Sequence, residues 1–452
     1  MSTNAAAAES RARLSGPPRR GALSGAWLLS GATILSGVFA YAFHILAART
    51  LGPEAYGRIA VLWGAMFLCA IVLFRPIEQT ASRAIADRLA RGVGARSVIS
   101  SATRVGVVAL LLFAAALAVA WRPVSEGLFD GDGLLTAMLL AGTAAYGLSY
   151  LARGVLGGVR WFAGYGLNLI ADGLARLVVA IPLVAVASTG LAGAAMVLAG
   201  LAGAAVPLAL GRHQVRAALA REAPGADRFR PRSTLAFAAP AVVIAGADQI
   251  LVNGSPILVV LAGGAGASAA AGVVFAATML VRVPVFVFQG AAASILPNLT
   301  RLHVTDDAAG FRAAVRKAIG VLGCAAVVIA IGAVAIGPEA MGVIYGSEFS
   351  ASRVELGLLA IGVGAYLTAS TISQGLLAQD RGRAAAVAWG SAAVLFVALH
   401  LVLPGSELMR ISAAFAIGMS VGAALTALSL IRRPRGAAPQ LPLDMEDELT
   451  AK

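Results

Sequence analysis

Seven polar side chains lie inside otherwise apolar stretches, where burial is costly and such groups are usually paired or functional. Three carry guanidinium groups, which bind phosphate oxygens through parallel hydrogen bonds. Two are carboxylates, which can bind a proton or a metal cation, and two are amides. Together they predict a buried site for an anionic ligand with an adjoining cation site. The seven residues are Arg75, Asp172, Arg176, Asp248, Asn253, Arg282 and Gln289.

Four of these residues lie deep in their stretches, and a purely structural role is open for each. At a helical rise of about 1.5 Å per residue, Asp172 lies roughly 15 Å and Arg176 roughly 21 Å deep. Their i, i+4 spacing allows an ion pair on one helix face. Asp248 and Arg282, each roughly 21 Å into neighbouring stretches, could neutralise each other. In the alternative, both arginines face a cavity and bind an anion, while an aspartate binds a proton or cation.

The remaining polar residues have structural alternatives as well. Arg75 and Glu78 can form an ion pair near a membrane interface, with the arginine extending towards the headgroups. Asn253 and Gln289 can hydrogen-bond between helices. His44 is expected to lie at the interface rather than to carry protons.

Long apolar helices must position these residues. The 452-residue chain has a mean hydropathy of +0.85 and only 13% charged residues, against about 25% in soluble domains. Uncharged windows of about 20 residues recur, which is the length of a membrane-spanning helix, and no alternating pattern indicates barrel strands. We predict an all-α polytopic membrane protein with about twelve transmembrane helices, at 23–48, 58–78, 105–121, 133–152, 162–187, 190–210, 235–260, 268–296, 318–337, 355–378, 384–403 and 411–431.

The distribution of positive charge orients the predicted helices. Most of the 35 lysines and arginines fall in alternate loops, which places those loops and both termini in the cytoplasm. The longest loop, the basic linker 211–232, separates six-helix lobes at 23–210 and 233–431, with tails at 1–22 and 432–452. Such halves suggest a duplicated transporter architecture, with the substrate path between two bundles. The Arg- and Ala-rich composition suggests a bacterial protein, so we predict a multi-pass protein of the cytoplasmic (inner) membrane.

Several function classes are disfavoured. The sequence has no Walker motif, so direct use of ATP is not expected, and no His, Cys or carboxylate cluster has metal-ligand spacing. Cys69 and Cys324 both lie in apolar stretches, which suggests neither a disulfide framework nor a cysteine metal site. Membrane topology explains the net charge of +13 better than nucleic-acid binding does. We therefore expect no enzyme activity, no catalytic residues, no cofactor, no metal and no nucleic-acid partner.

One turn near the start of the chain has a distinctive sequence. Between the first two predicted spans, Arg49 to Arg58 reads RTLGPEAYGR. Gly52-Pro53 should end the first helix, because proline restricts its own backbone and that of its predecessor. Gly57 should serve the turn geometry. The segment predicts a tight external hairpin.

This hairpin resembles an N-terminal signature, R-x-L-G-P-x-x-Y-G, of bacterial polysaccharide-biosynthesis membrane proteins. These are the O-antigen or oligosaccharide flippases of the multidrug/oligosaccharidyl-lipid/polysaccharide exporter superfamily. The segments ILPNLTRL (295–302) and VIYGSEFSAS (343–352) resemble a proline-containing helix end and an external loop of that family. The matching signature residues are Arg49, Leu51, Gly52, Pro53, Tyr56 and Gly57.

The resemblance implies two six-helix bundles around a central cavity and the flipping of an undecaprenyl-diphosphate-linked glycan for cell-surface polysaccharide assembly. On this hypothesis the seven buried polar residues bind the substrate, and membrane lipids and a coupling proton or cation are further partners. Two alternatives stay open. A multidrug/cation antiporter of the same superfamily should favour acidic cavity residues. A membrane-embedded polysaccharide polymerase or ligase should carry a large external catalytic loop.

Overall fold

The computed structural model describes residues 20–219, 231–263, 267–283, 299, 302, 308–379 and 381–432. Throughout these ranges the regular elements are α-helices, without a strand, which confirms the predicted all-α class. Numbered in chain order, the helices are α1 Arg20–Ala90, α2 Arg96–Val119, α3 Trp121–Phe129, α4 Gly133–Gly158, α5 Phe162–Val186, α6 Thr189–Leu210, α7 Arg212–Leu219, α8 Pro231–Asn253, α9 Ser255–Gly263, α10 Ser268–Val283, α11 Ala308–Tyr345, α12 Arg353–Ala378, α13 Gly382–Val402 and α14 Glu407–Ile431.

The longest helix, α1, is a hairpin rather than a single rod. At Gly52 the backbone leaves the helical region, with φ 72° and ψ 173°, a conformation that glycine adopts readily. The rings of His44 and Trp63 lie 4.5 Å apart, whereas a continuous helix would separate these residues by about 28 Å. The chain therefore reverses at Gly52, which confirms the predicted turn, and the arms 20–51 and 53–90 contain predicted spans one and two.

Gly57 does not serve the turn, and that prediction is wrong. It lies within the second arm of α1, and its φ is not positive. A β-carbon built on Gly57 would lie 1.7 Å from the backbone carbonyl oxygen of Ser268, at the start of α10. Glycine is therefore required here by the close approach of two backbones.

We call α1–α7 the first half of the chain and α8–α14 the second half. In the first half, helices pack around α1. Both α4 and α5 contact α1, and α6 contacts α4 and α5. Side-chain caps set where two of these helices begin. Asp132 accepts hydrogen bonds from the backbone N–H groups of Leu134 and Leu135 at the start of α4, and Ser188 caps α6. This arrangement directs the polar side chains of α4 and α5 towards each other.

Predicted span seven, 235–260, is broken rather than continuous. Helix α8 ends at Asn253, and α9 begins at Ser255 with a bend of 67°. A β-carbon on the intervening Gly254 would meet the carbonyl oxygen of Ile250 at 2.4 Å, and Pro256 in the first turn of α9 has no N–H to donate. Such breaks leave backbone carbonyls unpaired in the membrane interior and are typical of transport sites.

Apolar side chains cover the outside of the helical body. In the second half, α12 packs on α11 and α14, and α13 packs on α8 and α14. Large exposed side chains such as Leu112, Ile181, Val328 and Val394 face outwards, as lipid contact requires. Nine of the described helices are long and apolar enough to cross a membrane. Each of the twelve predicted spans overlaps a described helix, span eight only over 268–283. The chain is a multi-pass membrane protein.

The two halves meet along the second arm of α1, in a contact that we call the seam. A β-carbon on Gly64 would lie 2.4 Å from the carbonyl oxygen of Asn253 in α8. Further from the hairpin, a methyl group of Val72 lies 3.7 Å from the position of a β-carbon on Gly246. Arg75, three residues beyond Val72, is exposed. The seam is therefore closed from the hairpin end down to Val72.

Candidate functional site

The first polar cluster is the N-half triad of Tyr146 on α4 with Asp172 and Arg176 on α5. The Tyr146 hydroxyl donates a hydrogen bond of 2.6 Å to one oxygen of Asp172. Arg176 donates to the other Asp172 oxygen at 2.8 Å and to the Tyr146 hydroxyl oxygen at 2.7 Å. The Arg176 side chain is 2% exposed and that of Asp172 is 14% exposed. The i, i+4 ion pair is therefore present, and its two charges neutralise each other within the first half.

Aromatic rings connect this triad to the hairpin. The guanidinium carbon of Arg176 lies 4.9 Å from the centre of the Trp63 ring, a cation–π geometry. On the hairpin side, Trp63 contacts His44, which is fully buried and also touches the rings of Tyr56 and Phe275. The prediction of an interfacial His44 is wrong, because the hairpin folds one arm of α1 onto the other and α10 covers both.

The second polar cluster, the C-half cluster, occupies the last turns of α8 before its break. The Tyr366 hydroxyl of α12 donates a hydrogen bond of 2.8 Å to one Asp248 oxygen. The Gln249 amide donates to the other oxygen at 2.9 Å, and Asn253 donates to the Gln249 carbonyl oxygen at 2.7 Å. The Asp248 carboxylate is therefore held by neutral donors rather than by a cation of its own half.

Arg282 of α10 supports the broken helix. Its side chain is buried, and it donates a hydrogen bond to the backbone carbonyl oxygen of Val252. That carbonyl lies in the last turn of α8, where no following helical N–H is available. Among the described residues Arg282 forms no ion pair with Asp248, although their charges interact at longer range. Arg282 thus caps α8 at the break.

Arg75 lies where the seam ends, between charges from both halves. Glu78 accepts a hydrogen bond of 2.7 Å from the Tyr165 hydroxyl of α5, and not from Arg75 as the interfacial ion pair would require. Glu78, from the first half, and Asp248, from the second, both lie within electrostatic range of the exposed residue Arg75. Arg75 is therefore accessible from the open end of the seam and electrostatically linked to both halves.

A second arginine at this position was missed by sequence reasoning. Arg153 lies directly after predicted span four, 133–152, but in the structure it is part of α4, and its guanidinium carbon lies 3.9 Å from the centre of the Tyr150 ring. Its Nε is buried without a hydrogen-bond partner. Arg153 and Arg75 both lie within electrostatic range of Tyr150 and Glu78. The i, i+3 spacing of Tyr150 and Arg153 was the available signal.

Some predicted features lie outside the described residues. They are Gln289, ILPNLTRL apart from Leu299 and Leu302, and residues 220–230 of the basic linker. Within the described ranges, no group of three or more His, Cys, Asp or Glu side chains is placed to hold a metal ion.

A cavity of about 510 Å³ lies apart from these clusters, between the ends of α10, α12 and α14. Its buried carboxylate, Glu355, accepts hydrogen bonds from the hydroxyls of Ser352 and Ser406, which are the caps of α12 and α14. The polar groups of this cavity therefore join two helix starts.

No family model matches the sequence. Two uncharacterized proteins of Mycobacterium tuberculosis (strain ATCC 25618 / H37Rv) are similar to it over nearly their whole length. One is 28% identical over 455 residues, covering 96% of this chain and 99% of that protein. The other is 28% identical over 428 residues, covering 93% and 94% respectively.

Solved structures of MATE family transporters share the fold. An inward-facing multidrug resistance MATE transporter of the MOP superfamily aligns with a TM-score of 0.66 at 15% identity, over 89% of this chain and 97% of that one. An outward-facing one aligns with a TM-score of 0.64 at 16% identity, over 90% and 96%. A eukaryotic MATE transporter gives 0.62 at 14% identity, over 91% and 96%.

Proposed function

We propose that this protein is a membrane transporter that flips a polyprenyl-diphosphate-linked oligosaccharide from the cytoplasmic to the external leaflet by alternating access. The observation that carries the proposal is Arg75, an exposed arginine at the end of the seam that shares Tyr150 and Glu78 with Arg153 as electrostatic partners. The fold shared with transporters supports movement of a substrate between two halves, and similar structures include inward-facing and outward-facing forms.

The arrangement of charges supports an anionic headgroup as the substrate. A diphosphate carries several acceptor oxygens, and guanidinium groups such as those of Arg75 and Arg153 match such oxygens in charge. The hydroxyl of Tyr165 and the carboxylate of Glu78 lie within electrostatic range of both arginines and offer hydrogen bonds to sugar hydroxyls. The polyprenyl tail stays in the lipid. No cofactor is required for this movement.

The other predicted ligands take supporting roles in this proposal. Arg176 is neutralised by Asp172, and Arg282 caps α8, so neither guanidinium is free for a headgroup in this conformation. Asp248, with Gln249 and Asn253, is the candidate for a coupling proton or cation, because its carboxylate has no direct cationic partner in its own half. Gln289 stays a predicted ligand.

The sidedness of the protein is part of the proposal. The charge bias supports cytoplasmic termini. The basic linker 211–232 supports lobes at 23–210 and 233–431, and the Arg- and Ala-rich composition supports a bacterial inner-membrane location. With cytoplasmic termini, the hairpin lies outside and Arg75 lies towards the cytoplasm, where a lipid-linked precursor would enter. Cysteines introduced at Gly225 and Gly131 should label from the cytoplasmic and external sides respectively. Labelling of both from one side would contradict this topology.

A multidrug/cation antiporter is the second candidate, favoured by the multidrug transporters among the similar structures. In that case Asp172 and Asp248 would bind the cationic drug or the coupling ion. The ion pair of Asp172 with Arg176 argues against a cationic ligand there, because the position is already neutral. An enzyme such as a polymerase or ligase is less well supported, since the similar structures are transporters.

Flipping in reconstituted vesicles distinguishes the two candidates. The probe is an undecaprenyl-diphosphate-linked disaccharide with a fluorophore on the sugar, and a membrane-impermeant reductant quenches only the probe in the outer leaflet. We expect wild-type protein to make nearly all probe quenchable and Arg75→Gln to slow this step. The matched control is Arg104→Gln, an exposed arginine of α2 that hydrogen-bonds within its own helix.

The same vesicles, loaded with a pH gradient, test uptake of ethidium. Ethidium transport without flipping of the disaccharide lipid would overturn the flippase proposal and favour the antiporter. If Arg75→Gln and the wild-type protein flipped the probe at equal rates, Arg75 would not be part of the substrate site.

A further inference from the structure

The hairpin motif touches the second half of the protein with nearly every residue that defines it. Arg49 donates hydrogen bonds to the backbone carbonyl oxygens of Ile344, at 2.8 Å, and of Val343. These carbonyls end α11 and lack helical N–H partners. A positive charge at the negative end of the helix dipole adds to this contact. Arg49 therefore caps a helix of the other half.

Two glycines bring the backbones of the halves into direct contact. A β-carbon on Gly57 would lie 1.7 Å from the Ser268 carbonyl oxygen, and one on Gly272 would lie 2.1 Å from the Pro53 carbonyl oxygen. Both distances are far below any van der Waals contact. The hairpin and α10 therefore fit together only while these two positions carry no side chain.

Tyr56 fills the space next to these glycines. It is fully buried, with its ring 6.2 Å from that of Phe275 in α10 and 5.9 Å from that of Phe349 after α11. Its hydroxyl lies 3.3 Å from His44 Nδ1. Nearby, the Ser268 hydroxyl donates a hydrogen bond of 2.7 Å to Asp130 of the first half.

We propose that the motif Arg49–Gly57 is a lock that holds the two halves together at the hairpin end, and that this end opens only when the lock separates. The proposal rests on alternating access as proposed above, but not on the identity of the substrate. On this proposal, the residues of the motif serve the contact between the halves more than they serve the turn.

The chemistry of the lock suits repeated opening. Arg49 is exposed, so water can replace its two hydrogen bonds as the halves part. The glycine contacts contain no interlocking side chains to disengage. Opening must also expose the fully buried ring of Tyr56, so this residue should contribute to the stability of the closed state.

Distances across the hairpin end test the lock. Spin labels are placed on cysteines at the exposed positions Glu54 and Ser350, after Cys69 and Cys324 are replaced by serine, and the distance distribution is measured in lipid. We expect a dominant short distance in the otherwise wild-type protein. Gly57→Ala should raise the ratio of long to short distances roughly tenfold, equivalent to about 1.4 kcal/mol. The matched control is Gly342→Ala, a helical glycine near the same end with no atom within 4 Å of an added β-carbon.

Arg49→Gln keeps the test decisive if Gly57→Ala does not fold, since an exposed side chain can be replaced without disturbing packing. Arg49→Gln should also raise the ratio of long to short distances, by a smaller factor than Gly57→Ala. An unchanged distribution in a folded Gly57→Ala or Arg49→Gln variant would overturn the lock, as would an equal shift in Gly342→Ala. Because no substrate is present, the lock would stand even if flipping of the disaccharide lipid failed.

Discussion

The N-half triad and the C-half cluster share a tyrosine–aspartate hydrogen bond but differ in how their arginine is bound. In each, an aspartate inside the membrane accepts a hydrogen bond from a tyrosine hydroxyl, at 2.6 Å in the triad and 2.8 Å in the cluster. In the triad Arg176 also reaches the aspartate, at 2.8 Å. In the cluster the corresponding cation, Arg282, bonds a backbone carbonyl instead.

This difference divides the roles of the two halves. The triad is neutral and closed within the first half, so the proposed movement of the halves would leave its charge balance unchanged. The charge of Asp248 instead interacts at longer range with Arg75 across the seam and with Arg282. If the halves separate as proposed, its interaction with Arg75 changes. Within the proposed function, the C-half cluster is therefore the better candidate for coupling ion or proton binding to conformational change.

Removal of Arg176 should produce the largest effect. Arg176→Leu leaves Asp172 as an uncompensated buried charge, which costs about 3–5 kcal/mol. We expect a marked loss of membrane abundance and of the melting temperature in detergent. The double variant with Asp172→Asn should regain most of both. A single variant as stable as wild type would show that the triad is not closed by this pair.

Arg75 should affect transport far more than stability. If Arg75 binds the headgroup as proposed, Arg75→Gln removes one charge-assisted contact worth roughly 1.5–3 kcal/mol, or about one to two decades in affinity. Arg75→Lys should rescue only in part, because the ammonium lacks the planar fork. Binding of the disaccharide lipid is measured alongside the melting temperature. A loss of lipid binding accompanied by a comparable loss of stability would instead show that Arg75 is a structural residue.

Arg282 tests whether the C-half cluster contains a hidden ion pair. Arg282→Ala leaves the Val252 carbonyl unsatisfied, at a cost of about 1–3 kcal/mol. Adding Asp248→Asn should not restore stability, because the aspartate is not its direct partner. Membrane abundance and glycan export are measured for both variants. If the double variant regained both membrane abundance and export, Arg282 and Asp248 would form an ion pair. The C-half cluster would then resemble the N-half triad.

The two tyrosines should give the smallest effect. Tyr146→Phe removes two hydrogen bonds, one to Asp172 and one from Arg176, whereas Tyr366→Phe removes one. We expect Tyr146→Phe to be the less stable of the two by about 1 kcal/mol, read from melting temperatures in one detergent. The reverse order would mean that Asp248 depends on its neutral donors more than the geometry indicates.

Local features of this protein could be predicted from its sequence. Helical spans follow from apolar length, because backbone groups in lipid must bond within their own segment. Gly52-Pro53 predicts a chain reversal, and the spacing of Asp172 and Arg176 predicts their ion pair, because both features act within about one turn. The break at Gly254 could not be predicted, because the mean hydropathy of an apolar stretch is the same whether the helix is straight or bent.

Contacts between distant segments were decided by the tertiary structure alone. The sequence by itself determined an all-α membrane protein with a hairpin near its start and charges within its spans. Only the folded chain places Gly57 on Ser268, buries His44 under α10 and directs Arg282 to the Val252 carbonyl. The reason is physical: helix periodicity relates residues three or four apart, whereas these partners lie 30 or more residues apart or on different helices, and their meeting depends on how whole helices pack.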